Sequence, residues 1–140
     1  MIGTASKTLS TALILIPVLA SAQPAFQPPP DAFQTPSGNV HCRLGGAELR
    51  CQVLEHAYAT PPKPAGCTQD WGSRLAMRAE SRDALVCEGW AVRNDDAFVL
   101  GYGARWEKAG ITCQSEEAGL RCANRSGHGF QVARARLELF

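Results

Sequence analysis

Ser126-Gly127-His128-Gly129-Phe130 is the stretch whose residue types best suit proton transfer. Histidine titrates nearest to neutral pH, and a glycine on each side lets backbone approach a ligand closely. Nucleophilic catalysis would require Ser126, Ser37 or Ser115 within hydrogen-bond reach of His128. No G-x-S-x-G signature supports such a pair, and the plainer reading is a tight turn whose glycines supply positive φ. A second candidate is electrostatic: Arg43 and Arg50, with His41 and Gln52 beside them, are placed to meet across one hairpin. Opposed like charges are unfavourable, and an acidic neighbour or an anionic ligand would relieve them. The third is aromatic. Tyr102 in Gly101-Tyr102-Gly103-Ala104-Arg105-Trp106, with Trp71 and Trp90, offers rings that stack on sugars or fill a small core. Pro36-Ser37-Gly38-Asn39 reads as a β-turn in which Ser37 and Asn39 are spare ligand contacts. Asn124-Arg125-Ser126 matches the glycosylation sequon. Paired carboxylates, a phosphate-cradling glycine loop and metal-ligand spacing are all missing from the sequence, so no cofactor, metal or catalytic residue is assigned. The candidate ligand-binding residues are His128, Arg43, Arg50 and Tyr102.

What must position these residues is a stapled β domain. Residues 1–22 read as an export signal: Lys7, a mostly apolar run from Leu9 to Leu19, and the small-residue cleavage pattern Ala20-Ser21-Ala22. The run is shorter than the ~20 residues that cross a bilayer as a helix. Removing residues 1–22 from the 140 leaves 118, and takes one charge, Lys7, so that 13 basic groups balance 13 acidic ones. That balance excludes a polybasic nucleic-acid binder, and 45% apolar residues exclude a disordered chain. The mature chain is expected in the periplasm or outside the cell, with no membrane span. Residues 23–32 form a proline-rich leader and residues 33–140 a single domain.

In an oxidising compartment the six cysteines, Cys42, Cys51, Cys67, Cys87, Cys113 and Cys122, form a disulfide framework. No CxxC is present, which argues against redox catalysis and zinc-ribbon chemistry. Short runs alternate apolar and polar residues: Val40-Cys42-Leu44, Leu49-Cys51-Val53, Ile111-Cys113, Leu120-Cys122, and a final strand from Phe130 to Leu137. With 13 glycines and nine prolines scattered between them, the pattern predicts an all-β fold. The expected form is a small disulfide-stabilised antiparallel sandwich or barrel built from hairpins.

Val40 to Cys51 and Ile111 to Cys122 share the spacing C-x8-C, with Ala47/Ala118, Leu49/Leu120 and Arg50/Arg121 at one offset. Duplication and convergence on a good hairpin both explain the echo. Folded with four-residue loops, Gly45 to Glu48 and Glu116 to Gly119, the two hairpins place Cys42 opposite Cys51 and Cys113 opposite Cys122. Directly opposed Cβ atoms lie about 4.5–5.5 Å apart, close to what a disulfide spans. Cys42–Cys51 and Cys113–Cys122 follow, and elimination leaves Cys67–Cys87. A hairpin turning at Glu80 to Asp83 would put Cys87 opposite Ala76, within a strand near Ala84 to Cys87.

The set F-x-T-P-S-G-N-V-x-C (Phe33 to Cys42), D-W-G (Asp70 to Gly72), G-Y-G-x-x-W (Gly101 to Trp106), G-I-x-C-x-S (Gly110 to Ser115), G-L-x-C-x-N (Gly119 to Asn124) and G-H-G-F (Gly127 to Phe130) resembles a family of small secreted bacterial proteins of unknown function. The resemblance implies an exported single domain with the same six cysteines and carries over no activity. Glu88 to Phe98 departs from the charged turn expected there. The reading that follows is a non-enzymatic binding or interaction module at the cell envelope, its partner a glycan or another secreted protein. The alternatives are a small secreted hydrolase using His128 and an inhibitor of a secreted enzyme presenting Gly45 to Glu48.

Overall fold

The computed structural model describes residues 2–21 and 27–140. The expected cleavage junction at Ala22 and the start of the leader, Gln23 to Phe26, lie outside the described residues. Residues 2–21 carry no helix or strand. No helix among the described residues is long and apolar enough to cross a membrane.

Ten strands follow in order: β1 Ala32–Gln34, β2 Val40–Gly45, β3 Glu48–Val53, β4 Arg74–Met77, β5 Phe98–Val99, β6 Arg105–Lys108, β7 Ile111–Glu116, β8 Gly119–Asn124, β9 Gly129–Ala133 and β10 Arg136–Leu139. They make two five-stranded sheets, ordered β4-β3-β2-β1-β5 and β10-β9-β8-β7-β6. Every pairing is antiparallel except β1 with β5. The fold is an all-β sandwich, with one apolar cluster drawn from both sheets.

Period-two alternation decides which side chains enter that cluster. Leu49, Cys51 and Val53 of β3 point inward, as do Ile111, Cys113 and Ser115 of β7. The registers align these residues into rows. In the first sheet Phe33, Cys42, Cys51 and Leu75 are successive partners, and Leu75 bridges Leu85. In the second sheet Trp106, Cys113, Cys122, Phe130 and Leu139 take the same places. The two rows meet where Phe33 and Trp106 pack with ring centroids 5.2 Å apart. The echo read in two hairpins therefore spans a whole row of each sheet.

All three expected disulfides form: Cys42–Cys51 and Cys113–Cys122, read from the hairpin spacing, and Cys67–Cys87, left by elimination. The hairpin cysteines are directly opposed, with Cα atoms 4.1 and 4.0 Å apart, as at the closely spaced positions of an antiparallel ladder. The hairpin loops are tighter than expected, because Gly45 pairs with Glu48 and Glu116 with Gly119, leaving two-residue turns. The register is unchanged by this. Replacing Cys113 and Cys122 together by alanine is expected to cost about 2–3 kcal/mol, from the chain entropy of a ten-residue loop. Denaturant midpoints of the oxidised double variant measure it, and an unchanged midpoint would remove the staple from the account of stability.

Two local expectations are corrected. Phe130 to Leu137 is not one strand: the chain turns at Arg134-Ala135 and returns as β10. The segment near Ala84 to Cys87 is not a full strand, since only Leu85 bridges, and it bridges Leu75. By that register Cys87 falls level with Ser73, past the end of β4, not opposite Ala76. It reaches Cys67 from a loop with no ladder to hold it, over a Cα separation of 6.0 Å.

Candidate functional site

The outer face of the first sheet is not the open polar surface that alternation suggests. Gln34, His41, Gln52 and Arg74 are partners along one row across β1, β2, β3 and β4. All four turn outward and grip the backbone of residues 88–97, which crosses the sheet as a strap. Arg74 Nε donates to the Trp90 carbonyl at 2.7 Å. Gln52 Oε1 accepts from the Val92 and Arg93 amides at 3.0 and 3.3 Å. Gln34 Nε2 donates to the carbonyls of Asp95 and Ala97 at 3.0 and 2.9 Å. His41, 1% exposed, has Nε2 at 2.9 Å from the Gly38 carbonyl oxygen and Nδ1 at 3.2 Å from both the amide and the carbonyl of Asn94. Unpaired strap amides over a sheet would be costly, and polar side chains at every second position supply their partners. The departure from a charged turn at Glu88 to Phe98 is this strap.

In the second sheet the matching row is Glu107, Thr112, Ala123 and Gly129. Its side chains are mostly too short to hold a strap, and that face stays open.

Of the sequence candidates, Tyr102 lines a cleft of about 740 Å³ between the loops of the two sheets. Loops from both sheets build it: the β1–β2 turn with Ser37, the segment after β3 with Glu55, the β7–β8 turn with Glu116, and the β9–β10 turn with Arg134. Tyr102 is 53% exposed. The β1–β2 turn is self-bonded, through Thr35 Oγ1 with Ser37 Oγ (3.2 Å) and the Val40 amide to Thr35 Oγ1 (3.2 Å). Asn39 is spent on structure: its Nδ2 donates to the Glu55 carbonyl and its Oδ1 accepts from the Glu55 amide. Arg134 pairs with Glu55 at 3.3 Å. Arg93, also on the cleft wall, forks onto Asp95 at 2.9 and 3.2 Å, and this hydrogen bonding holds the Asp95 carboxyl below its usual range.

His128 lies elsewhere. It lines a second groove, about 600 Å³, with Trp71, Asp83, Leu85 and Phe140. Its flanking glycines have backbone reasons. Gly127 has φ 78°, and a Cβ on Gly129 would lie 1.9 Å from the Cys122 carbonyl oxygen of β8. The structure does not bring the three serines to His128. Ser115 is buried in the core with an unpartnered hydroxyl, and Ser37 lies in the other cleft. Ser126 shares the turn, yet no hydrogen bond joins it to the imidazole among the described residues. Arg43 and Arg50 are opposed as read, both exposed.

Asn124, read only as a sequon, proves to be a clamp. It is 8% exposed. Its Nδ2 donates to the carbonyls of Arg78 (3.0 Å) and Ser81 (2.7 Å), and its Oδ1 accepts from the Ser126 and His128 amides (3.1 Å each). It thus ties the β4 end of one sheet to the β8–β9 turn of the other.

Tyr58 carries the one phenol shifted strongly upward. It is 9% exposed, stacks on His56 at 4.3 Å and donates to the Gly72 carbonyl at 2.5 Å. Burial first, and the nearby Asp70 carboxylate second, push its hydroxyl up to about 12. Because the folded value lies above the ordinary one near 10, the neutral phenol contributes stability that is complete below pH 10 and lost as pH rises towards 12. With two tyrosines in the chain, absorbance at 295 nm should show a late ionising step that Tyr58→Phe removes. Full ionisation of both phenols by pH 11 would contradict the burial argument.

The fold and its openings define a class: a small β-sandwich with an internal repeat, stapled by three disulfides, whose loops build clefts. Within that class the chain belongs to the family of unknown function DUF6636, whose model matches residues 9–140. No curated protein and no solved structure matches the chain.

Proposed function

We propose that the protein is exported and works at the cell envelope as a non-enzymatic binding module, with its ligand in the cleft beside Tyr102. One observation carries this reading: loops from both sheets converge there, and Tyr102 lines the cleft half-exposed instead of filling the core. Hydroxyls, amides, the Arg134–Glu55 ion pair and the carboxylates of Glu116 and Glu117 around an apolar floor of Val40, Leu120 and Val132 suit a polar ring such as a sugar. The export pattern of residues 1–22 and the three disulfides support an oxidising compartment. Among the described residues no hydrogen bond joins a serine to the His128 ring, so the hydrolase reading gains no support from that contact.

Pull-down on insoluble envelope glycan tests the proposal. The oxidised protein should be retained, and Tyr102→Ala should be retained several-fold less with an unchanged melting temperature. Retention no better than that of an unrelated protein of equal charge would refute it.

A further inference from the structure

We propose that the half of the first sheet's outer face left open by the strap is an anion site, built from Arg43, Arg50 and Arg78, which takes the carboxylates of an acidic glycan. The site is separate from the Tyr102 cleft and does not depend on it.

The site begins with a register. Arg43 and Arg50 are direct partners in the β2–β3 ladder, one step beyond the closely spaced Cys42–Cys51 pair. Pairs alternate along an antiparallel ladder, so their Cα atoms sit at the wider spacing of about 5.5 Å. Two like charges so placed repel, and the repulsion calls for a carboxylate. One is present. Glu48 accepts from Arg50 Nε at 2.7 Å and lies 3.3 Å from Arg78 Nε. Arg43 has no acidic partner among the described residues. Three acids near this face are engaged elsewhere, Asp31 with Lys108 at 2.6 Å, Asp70 with Arg74 at 3.8 Å and Asp95 with Arg93, and no ion pair joins Glu80, Glu88 or Asp96 to Arg43 among the described residues. Arg50 and Arg78 share one carboxylate and Arg43 has none, so these four groups carry two positive charges in excess.

The internal repeat supplies a control. In the second hairpin the positions of Arg43 and Arg50 are taken by Gln114 and Arg121. The same ladder and the same disulfide thus stand with one arginine, and the doubled charge is no requirement of the fold. Glu48 compensates only part of the doubled charge, and rule-breaking positions of this kind are expected at functional sites.

The strap prepares the site without covering it. It lies over the neighbouring row, and its Trp90 ring packs against Arg50 at 5.4 Å and Arg74 at 6.0 Å. Arg50 is thereby held by an indole and a carboxylate while 47% of its side chain remains exposed. Forked guanidiniums match the two oxygens of a carboxylate, and a pre-positioned fork loses less freedom on binding. The face is broad and open, which suits an extended chain better than an enclosed small ion. The adjoining hairpin turn is Gly46-Ala47, which offers nothing to insert into a bilayer.

The test is calorimetric titration of the oxidised protein with oligogalacturonate and with an uncharged maltooligosaccharide of equal length, at low salt. The acidic chain should bind, the neutral one should not, and affinity should fall as salt rises. Arg43→Gln should weaken binding at least about tenfold, the size expected for one charge-assisted contact, while its melting temperature stays equal or rises. Arg43→Gln/Arg50→Gln should abolish binding. Tyr102→Ala should bind oligogalacturonate normally, which keeps this result distinct from the fate of the cleft. Arg136→Gln, on the other sheet and paired with Glu138 at 2.6 Å, should also bind normally. The proposal is overturned by absent binding, by equal binding of the neutral chain, or by equal losses in Arg43→Gln and Arg136→Gln. Arg43-dependent capture by phosphatidylglycerol vesicles without glycan binding would overturn it equally.

Discussion

Trp106→Ala should remove about 3–5 kcal/mol of unfolding free energy, the range for deleting a fully buried tryptophan. Trp106 is 2% exposed and packs on Phe33 of the opposite sheet. Its Nε1 also donates to the Pro30 carbonyl at 2.7 Å, while Lys108 Nζ, two residues on, donates to the Pro29 carbonyl at 3.0 Å. One side chain therefore fills the middle of the core and pins the chain entering β1. A domain of this size is stable by about 5–15 kcal/mol, so the loss is a large share of the whole. Trp106→Phe separates the two roles: it keeps most of the packing and loses the Nε1 bond, at about 1–2 kcal/mol. Urea unfolding with the disulfides intact, followed by Trp71 and Trp90 emission, measures both. A loss below about 1 kcal/mol for Trp106→Ala would mean that the sheets do not depend on this contact.

Asn124→Ala should cost about 3–4 kcal/mol, since it strands two carbonyls and two amides that now share one buried side chain. Asn124→Asp gives the sharper result. Its carboxylate can still accept from the Ser126 and His128 amides, but it faces the Arg78 and Ser81 carbonyls with no donor. Burial and those oxygens disfavour the charged form, so the variant's carboxyl should titrate above the ordinary value. The extra destabilisation should then be small below about pH 4 and grow as the pH rises to 7. Equal losses at both pH values would contradict the clamp. The same geometry predicts that the sequon stays unmodified: expressed through a glycosylating secretory route, the folded protein should show no added glycan mass at Asn124.

Alternation along β2, β3, β7 and β8 was enough to identify the hairpins, because a period of two places Cys42 opposite Cys51 and Cys113 opposite Cys122 once a turn is set between them. The all-β class followed from the same short runs. The 79–85 turn was misplaced by three positions in register sum because it carries no apolar alternation, and the register there is set by Ala84 accepting from the Ala76 amide. The break within Phe130 to Leu137 was hidden because Arg134-Ala135 holds no glycine or proline to signal a turn. Opposition of Arg43 and Arg50 was legible from the hairpin, whereas the burial of their neighbour His41 was not.

Composition and spacing alone determined the all-β class, the two hairpin disulfides and the opposition of the two arginines, since all three depend on contacts between residues close along the chain, and Cys67–Cys87 followed only by elimination. Only the tertiary structure decided that residues 88–97 lie as a strap on Gln34, His41, Gln52 and Arg74, that Asn124 is a clamp between the sheets, and that His128 and Tyr102 face separate clefts. Those outcomes depend on partners some 40 to 60 positions apart, as with His41 and Asn94 or Gln34 and Ala97. No local pattern records such a pairing, because the energy that selects it comes from burying polar groups together after the two sheets have closed.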